Sequence, residues 1–257
     1  METCYLIQAR IGSSRYNGKV LSRVTDDLVL IDLVYKQLLR AKGANRNNIY
    51  VLTTNNTSDD RLVEHAKQNN MLYFRGDETN VFKRFQEFFK ESKITHDYFF
   101  RICSDNPFIE PTFIDKMAEV AIGVDNKLYD YISYQSHDGK PAILTHYGLF
   151  CELIRVDAFK MAASIMKTDY QQEHVTPIFY QSEYFKTKYI KMPDVLRDKT
   201  YRFTIDTKVD ADAIKEIIKK LDIDKFTYLD AINVIEKEPQ LIGIMKKSTG
   251  QNPKEVS

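Results

Sequence analysis

Residues 7–21 read IQARIGSSRYNGKVL. The segment leaves an apolar run and at once presents Arg10, Gly12, Ser13, Ser14, Arg15, Gly18 and Lys19. Small residues let backbone N–H groups approach an anion, and flanking cations neutralise it, so the pattern points to a phosphate. The bland alternative is a turn after a strand. Two phosphate motifs are excluded by counting. Five residues, Ser13 through Asn17, separate Gly12 from Gly18 where the Walker loop needs four, and Val20 follows Lys19 where it needs Ser or Thr. The three-glycine dinucleotide pattern fails as well, because no third glycine follows. What decides the fold class is position: the loop directly follows the first apolar strand, where open α/β sheets put their ligands.

Working outward, residues 4–9 form that strand, and Leu30, Ile31, Val34, Leu38 and Leu39 recur at helical spacing, with Gly43 placed to stop the helix. Strands are expected at 49–53, 71–74 and 98–103. They alternate with helices from a cap at Ser58 to about Asn69, over 81–89, and over 111–122. This alternation implies an α/β fold with a mainly parallel central sheet and helices on both faces. Beyond Gly123 the rhythm loosens. Strands are expected at 129–134, 148–155, 186–191 and 201–205, and helices at 157–166, 173–180 and 211–221. With no internal repeat or Pro/Gly linker, residues 1–245 read as one domain, with 129–155 as the candidate acceptor or subunit-contact region. The polar KKSTGQNPKEVS of 246–257 reads as a flexible tail.

The chain has 257 residues and a net charge of +1, so no global field favours nucleic acid or an anionic membrane, and any anion site is a local cluster. Three cysteines without a C-x-x-C pair imply reduced thiols, and the five histidines show no zinc-ligand spacing. No apolar run approaches the roughly 18 residues of a membrane span, so a cytoplasmic protein is expected.

A polyphosphate in the opening loop would bring a divalent cation, usually held by one or two carboxylates plus phosphate oxygens. Two acids stand just past expected strands: Asp105 in FFRICSDNP and Asp206 in YRFTIDTKVD. Each projects from the rim that carries the opening loop, or else serves as a turn or helix cap. The nearby Asp210-Ala-Asp212 pair reads as a helix cap.

These segments together resemble the SpsF-like family of cytidylyltransferases (spore coat polysaccharide biosynthesis protein F) and, more distantly, the CMP-Kdo and CMP-sialic acid synthetases. The resemblance rests on the opening loop; on Arg75-Gly76 followed by Val81 and Arg84; on RICSDNPFIEP at 101–111; on YGLFCELI at 147–154; on EHVTP at 173–177; and on YRFTIDTKVD at 201–210. It implies a GT-A-like, Rossmann-like nucleotidyltransferase fold and Mg²⁺-dependent transfer of CMP from CTP to a sugar, sugar acid or polyol phosphate for surface glycans. Arg10 and Lys19 would bind the triphosphate, with Ala9, Gly12 and Ser13 alongside. Asp105 and Asp206 would hold the metal. Thr53, Asn55, Arg75 and Arg84 would border the nucleotide, and Tyr147, Glu152 and His174 the acceptor. A homodimer is implied too. The chain departs from the family pattern at Tyr16-Asn17, at Cys103-Ser104, and at Phe150, which stands where the family has Asp. The last change leads to the expectation of an unusual acceptor. Guanine or uracil as the base, a GT-A glycosyltransferase, and a catalytically inactive nucleotide-binding subunit are the competing readings.

Overall fold

The computed structural model describes residues 1–123 and 128–254. In its first half strands and helices alternate as the periodicity requires: β1 (Thr3–Gln8), α1 (Leu30–Leu38), β2 (Ile49–Thr54), α2 (Asp60–Gln68), β3 (Leu72–Gly76), α3 (Val81–Ser92), β4 (Tyr98–Cys103) and α4 (Pro111–Ile122). In the second half come β5 (Tyr131–Gln135), β6 (Glu152–Arg155), α5 (Val156–Ile165), α6 (Asp169–His174), α7 (Pro177–Tyr180) and β7 (Thr187–Lys191). Three helices close the chain: α8 (Lys208–Ile218), α9 (Tyr228–Glu236) and α10 (Pro239–Gln251).

The seven strands form one sheet in the order β3-β2-β1-β4-β6-β5-β7. All neighbouring pairs are parallel except the two that involve β6. Strand alternation divides the core. Tyr5 and Ile7 of β1 pack on one face with α1, α4, α8, α9 and α10, whereas Cys4 and Leu6 pack on the other with α3, α5 and α7. The second face is held by aromatic rings: Phe85, Phe89 and Phe99 surround Phe159. Burying each such ring contributes about 1.5–3 kcal/mol, so α3 is fixed by packing rather than by helix propensity. The strand order reverses between β1 and β4, and the loops that leave these two strands open there. Ligands of open α/β sheets bind at such a crevice.

The second half departs from its sequence pattern in three places. Residues 201–205 form no strand; Phe203 N donates to His146 O and Ile205 N to Asp105 O, single bonds to two different segments instead of a ladder. That segment lies against Gly148, whose φ is +61° and where an added Cβ would stand 2.8 Å from the Phe203 carbonyl carbon. The helix expected over 173–180 is broken between α6 and α7. The expected tail is corrected in part: residues 246–251 continue α10 because Leu241 and Met245 are buried against the core and Ser248 is buried beside Asp210, bonding its carboxylate, whereas residues 255–257 of that tail lie outside the described residues. Residues 129–155 supply β5 and β6 to the interior of the sheet, and β7 forms that edge. Cys4, Cys103 and Cys151 are free. No helix of the described residues is long and apolar enough to cross a membrane.

Candidate active site

The opening loop is pinned by the acid that follows the expected helix cap at Ser58. Asp59 is 1% exposed and accepts from Ile11 N at 2.7 Å, Thr53 Oγ1 at 2.8 Å and Thr54 N at 3.0 Å, tying the loop to the end of β2. Ile11 O in turn accepts from both Ser13 N and Gly18 N, and Gly18 takes a φ of +72° that a residue with a Cβ adopts only at a cost. The turn so formed walls a cavity of about 270 Å³ lined by Ala9, Arg10, Gly12, Ser13, Lys19 and Arg84, among others.

Of its three arginines Arg15 is paired with Asp206, and the other two are short of acids. Arg84 is fully buried on α3 and donates only to the backbone carbonyls of Asp77 and Glu78. Burial, and then the Arg10 cation beside it, push its pKa down to about 10. Arg10 is exposed, and among the described residues it has no carboxylate within 4 Å. Like charges brought together in a low-dielectric wall repel, and a bound anion reverses the sign of that energy.

Lys19 stands at the meeting of three segments. Its ammonium donates to Asp105 Oδ2 at 2.9 Å, just past β4, and to Ile205 O at 2.7 Å, and it lies 3.8 Å from Asp206 Oδ1. Burial opposes its charge, but Asp105 and Asp206 outweigh burial and hold its pKa above the ordinary lysine value. Burial likewise acts against the Asp105 carboxylate, and Lys19 outweighs it, so that carboxyl stays below its usual range. Asp206 also accepts from Arg15 at 2.8 Å and from the buried Arg202 at 2.7 Å. Two carboxylates thus converge on one cation. Among the described residues no group of three or more His, Cys, Asp or Glu that could hold a metal occurs, and two hard oxygen donors beside an arginine-lined cavity would suit Mg²⁺, which usually takes one or two carboxylates and fills its other positions with water or phosphate oxygens.

A second cavity, of about 400 Å³, shares Gln8, Arg15, Cys103, Asp105, His174 and Asp206 with the first. His174 reaches both from the last residue of α6, where its ring packs on Tyr170 with centroids 4.4 Å apart. The EHVTP segment sets that position through backbone strain: Val175 has φ 67° and ψ −51°, and Thr176 N donates to His174 O across it at 2.7 Å. This is a γ-turn of the rare positive-φ form, costly for a β-branched residue and held by the complete burial of Val175. Burial, and then Arg101, keep the His174 imidazole below its usual pKa, so it is neutral near pH 7.

Comparison with known proteins decides the family. The model of a family described as Cytidylyltransferase matches residues 4–241. The chain belongs to the cytidylyltransferase family. It is 30% identical over 218 residues to spore coat polysaccharide biosynthesis protein SpsF of Bacillus subtilis, covering 84% of this chain and 86% of that one. It is 32% identical over 258 residues to an uncharacterized protein of Methanocaldococcus jannaschii, covering 100% and 99%. A solved cytidylyltransferase from Leptospira borgpetersenii superposes with a TM-score of 0.81 at 28% identity, covering 94% of this chain and 97% of that one. A CMP:2-keto-3-deoxy-manno-octonic acid synthetase complexed with CTP superposes at 0.63 with 14% identity, covering 85% and 99%, and shares the fold. The protein is accordingly a nucleotidyltransferase with the α/β fold of that family.

Within this cytidylyltransferase the two cavities gather Ala9, Arg10, Gly12, Ser13, Lys19, Arg84, Asp105, His174 and Asp206. Five expected residues line neither. Thr53 spends its hydroxyl on Asp59. Asn55 is exposed at the end of β2, its N–H bonded to Gly76 O. Arg75 is occupied by Thr54 O, Asn56 O and Asp60. Tyr147 donates to Leu196 O and Lys199 O on the wall of a neighbouring cavity. Glu152 is 1% exposed and lies opposite Arg101 in the antiparallel β4–β6 register; it accepts from Arg101 at 2.6 Å and from Tyr131 at 2.6 Å. Phe150, the departure behind the expectation of an unusual acceptor, stacks its ring on Phe113 with centroids 4.9 Å apart, inside the core. Conversely, sequence reading passes over Arg15, Arg101, His146 and Lys254, which line the second cavity. Arg15 was visible as a cation of the opening loop. Nothing in the polar composition around Lys254 signalled a residue that lines a cavity.

Proposed function

We propose that this cytidylyltransferase moves the cytidylyl group of CTP onto a small sugar-like acceptor, with release of pyrophosphate. The observation that carries the reading is the meeting of two cavities at Asp105 and Asp206, one walled by Arg10 and Arg84, which have no acid partner among the described residues, and the other by mixed polar groups. An acceptor oxygen attacks the α-phosphorus in line, and the bond to the oxygen bridging to the β-phosphate breaks. The electron pair leaves with pyrophosphate. Such a transfer needs positioning and charge neutralisation more than a covalent nucleophile.

Arg10 and Arg84 bind the phosphates whose charge grows as the bond breaks, and Gly12 and Ser13 leave the loop backbone open to them. Asp105 and Asp206 would hold Mg²⁺, which when bound neutralises phosphate oxygens. Lys19 keeps those two carboxylates convergent and favours the ionised form of Asp105. His174, neutral and at the shared wall, borders the acceptor oxygen. The glycan role follows from the likeness to SpsF, and a homodimer from the family resemblance; light scattering at micromolar concentration tests the latter.

The test is thermal unfolding with CTP, UTP, GTP and ATP in turn, with and without Mg²⁺, since a ligand of the native state raises stability by mass action. A rise selective for CTP is expected. An equal rise with all four would reject the base assignment, and none with any would reject the nucleotide cavity.

A further inference from the structure

The second cavity contains a cation that the reaction as derived does not use. Lys254 follows α10, lines that cavity, and donates to Ile143 O at 3.1 Å and Thr145 O at 2.7 Å. Among the described residues no carboxylate lies within 4 Å of its ammonium. Every other cation on this wall is answered: Arg15 by Asp206, Arg101 by Glu152. The two imidazoles are not cations near neutral pH, since burial, and then Arg202, push the His146 pKa down to about 3, and His174 is also held low. Burial of Lys254 outweighs Asp105, Cys103 and Asp206, which favour its charge from farther off, and holds its pKa below the ordinary lysine value. Two carbonyl bonds leave the third N–H of the ammonium without a partner among the described residues. A second side chain on the same wall is unsatisfied: Asn106 is 5% exposed, and its Oδ1 accepts nothing. Leaving such groups unmade is expensive unless a ligand completes them.

We propose that Lys254 is the specificity-determining residue of the acceptor cavity, and that the acceptor is an anionic polyol. Its phosphate or carboxylate sits against the Lys254 ammonium, and a hydroxyl donates toward Asn106. The strap formed by the end of α10 is therefore part of the acceptor site. Asn252, two residues earlier, accepts from Arg15 at 3.0 Å, so the same strap also touches the loop that walls the nucleotide cavity. The assignment rests on the nucleotidyltransferase reading for the identity of the first cavity, and its test is built to separate the two.

Glycerol phosphate, glycerate and glycerol share a skeleton and differ in charge, which makes them suitable probes. Each is titrated calorimetrically into the full chain carrying Mg²⁺ and the α,β-methylene analogue of CTP, which fills the nucleotide cavity and cannot be cleaved there. One of the two anions is expected to bind and glycerol is not; which one binds tells a phosphate acceptor from a carboxylate one. Lys254→Gln weakens that binding about tenfold or more, and Lys254→Arg restores most of it, as a charge-assisted hydrogen bond requires. A purely structural strap would not discriminate the anion from glycerol. Equal binding by wild type and Lys254→Gln, binding of glycerol as tight as the anions, or binding of none of the three overturns the proposal. So does a loss caused by Arg10→Ala in place of Lys254→Gln, which assigns the anion to the nucleotide cavity. The nucleotide reading is judged apart, by whether the CTP analogue alone raises the melting temperature of the wild-type protein.

Discussion

The two cavities that meet at Asp105 and Asp206 differ in how their charges are satisfied. Around the opening loop Arg10 and Arg84 have no acid partners, and they crowd each other. Beneath the second cavity nearly every charge is spoken for: Arg101 with Glu152, Arg202 with Asp206 and Asp210. The first arrangement is a standing demand for an anion and adds nothing to stability. The second holds an irregular half of the chain in one shape, so its pairs belong to the fold before they belong to the chemistry. Charged residues near a cavity are therefore not equivalent, and among the cations the absence of an acid partner is what leaves a group free to meet an anion.

The largest effect is expected where the two sides touch. Asp206→Asn keeps the shape of the side chain but removes the charge that, with Asp105, makes the convergent pair. Turnover should fall about 10³-fold or more, with the circular dichroism spectrum unchanged, because Arg202 retains Asp210. A folded and active Asp206→Asn would remove Asp206 from the metal site and break the proposed meeting of the cavities.

Next comes the satisfied side. Glu152→Ala leaves the Arg101 guanidinium buried with only Gln8 Oε1 for company. Breaking a pair whose members are 4% and 2% exposed should cost about 3–5 kcal/mol of stability, measured by urea unfolding. Arg10→Ala should show the opposite pattern. With no partner to lose, its unfolding free energy should stay within about 0.5 kcal/mol of wild type. Its kcat/KM for CTP should nonetheless fall about 10²-fold, as when one charge-stabilising donor is removed. If Arg10→Ala destabilises the fold instead, the contrast between the two sides is wrong.

The same contrast explains what was legible in the sequence. The first half was readable because β-α alternation is enforced locally, by side-chain period, and because the opening loop concentrates its donors within one segment. Arg10, Gly12, Ser13, Lys19 and Asp105 come from that half and reach the site. The second half is set by long-range constraints that no window shows. The strand expected at 201–205 fails because its hydrogen bonds go to His146 and Asp105, which are remote in sequence. Glu152 looks like a free acid until the antiparallel register places Arg101 opposite it. Lys254 looks like tail because a polar composition does not reveal that α10 runs on and delivers it into a cavity.

The smallest expected effect separates charge that stabilises from charge that waits. Burial raises the Asp210 pKa, but Arg202 and Ser248 outweigh burial and bring it down to about 2. A carboxyl lowered on folding contributes stability that is present above its unfolded pKa, near 4, and is lost as pH falls through the folded value. Stability should therefore drop between about pH 4 and pH 2 by roughly 1–2 kcal/mol from this group, after discounting for solvent screening. Asp210→Asn should flatten that limb of a urea-midpoint profile, because its amide no longer titrates, while lowering stability at pH 7 where the charge pair is lost. Arg10→Ala should leave the acid limb as it is, since Arg10 has no carboxylate partner to titrate. An acid limb flattened by Arg10→Ala would mean that a carboxylate is bound to Arg10 in solution, and the nucleotide cavity would then be a satisfied surface like its neighbour.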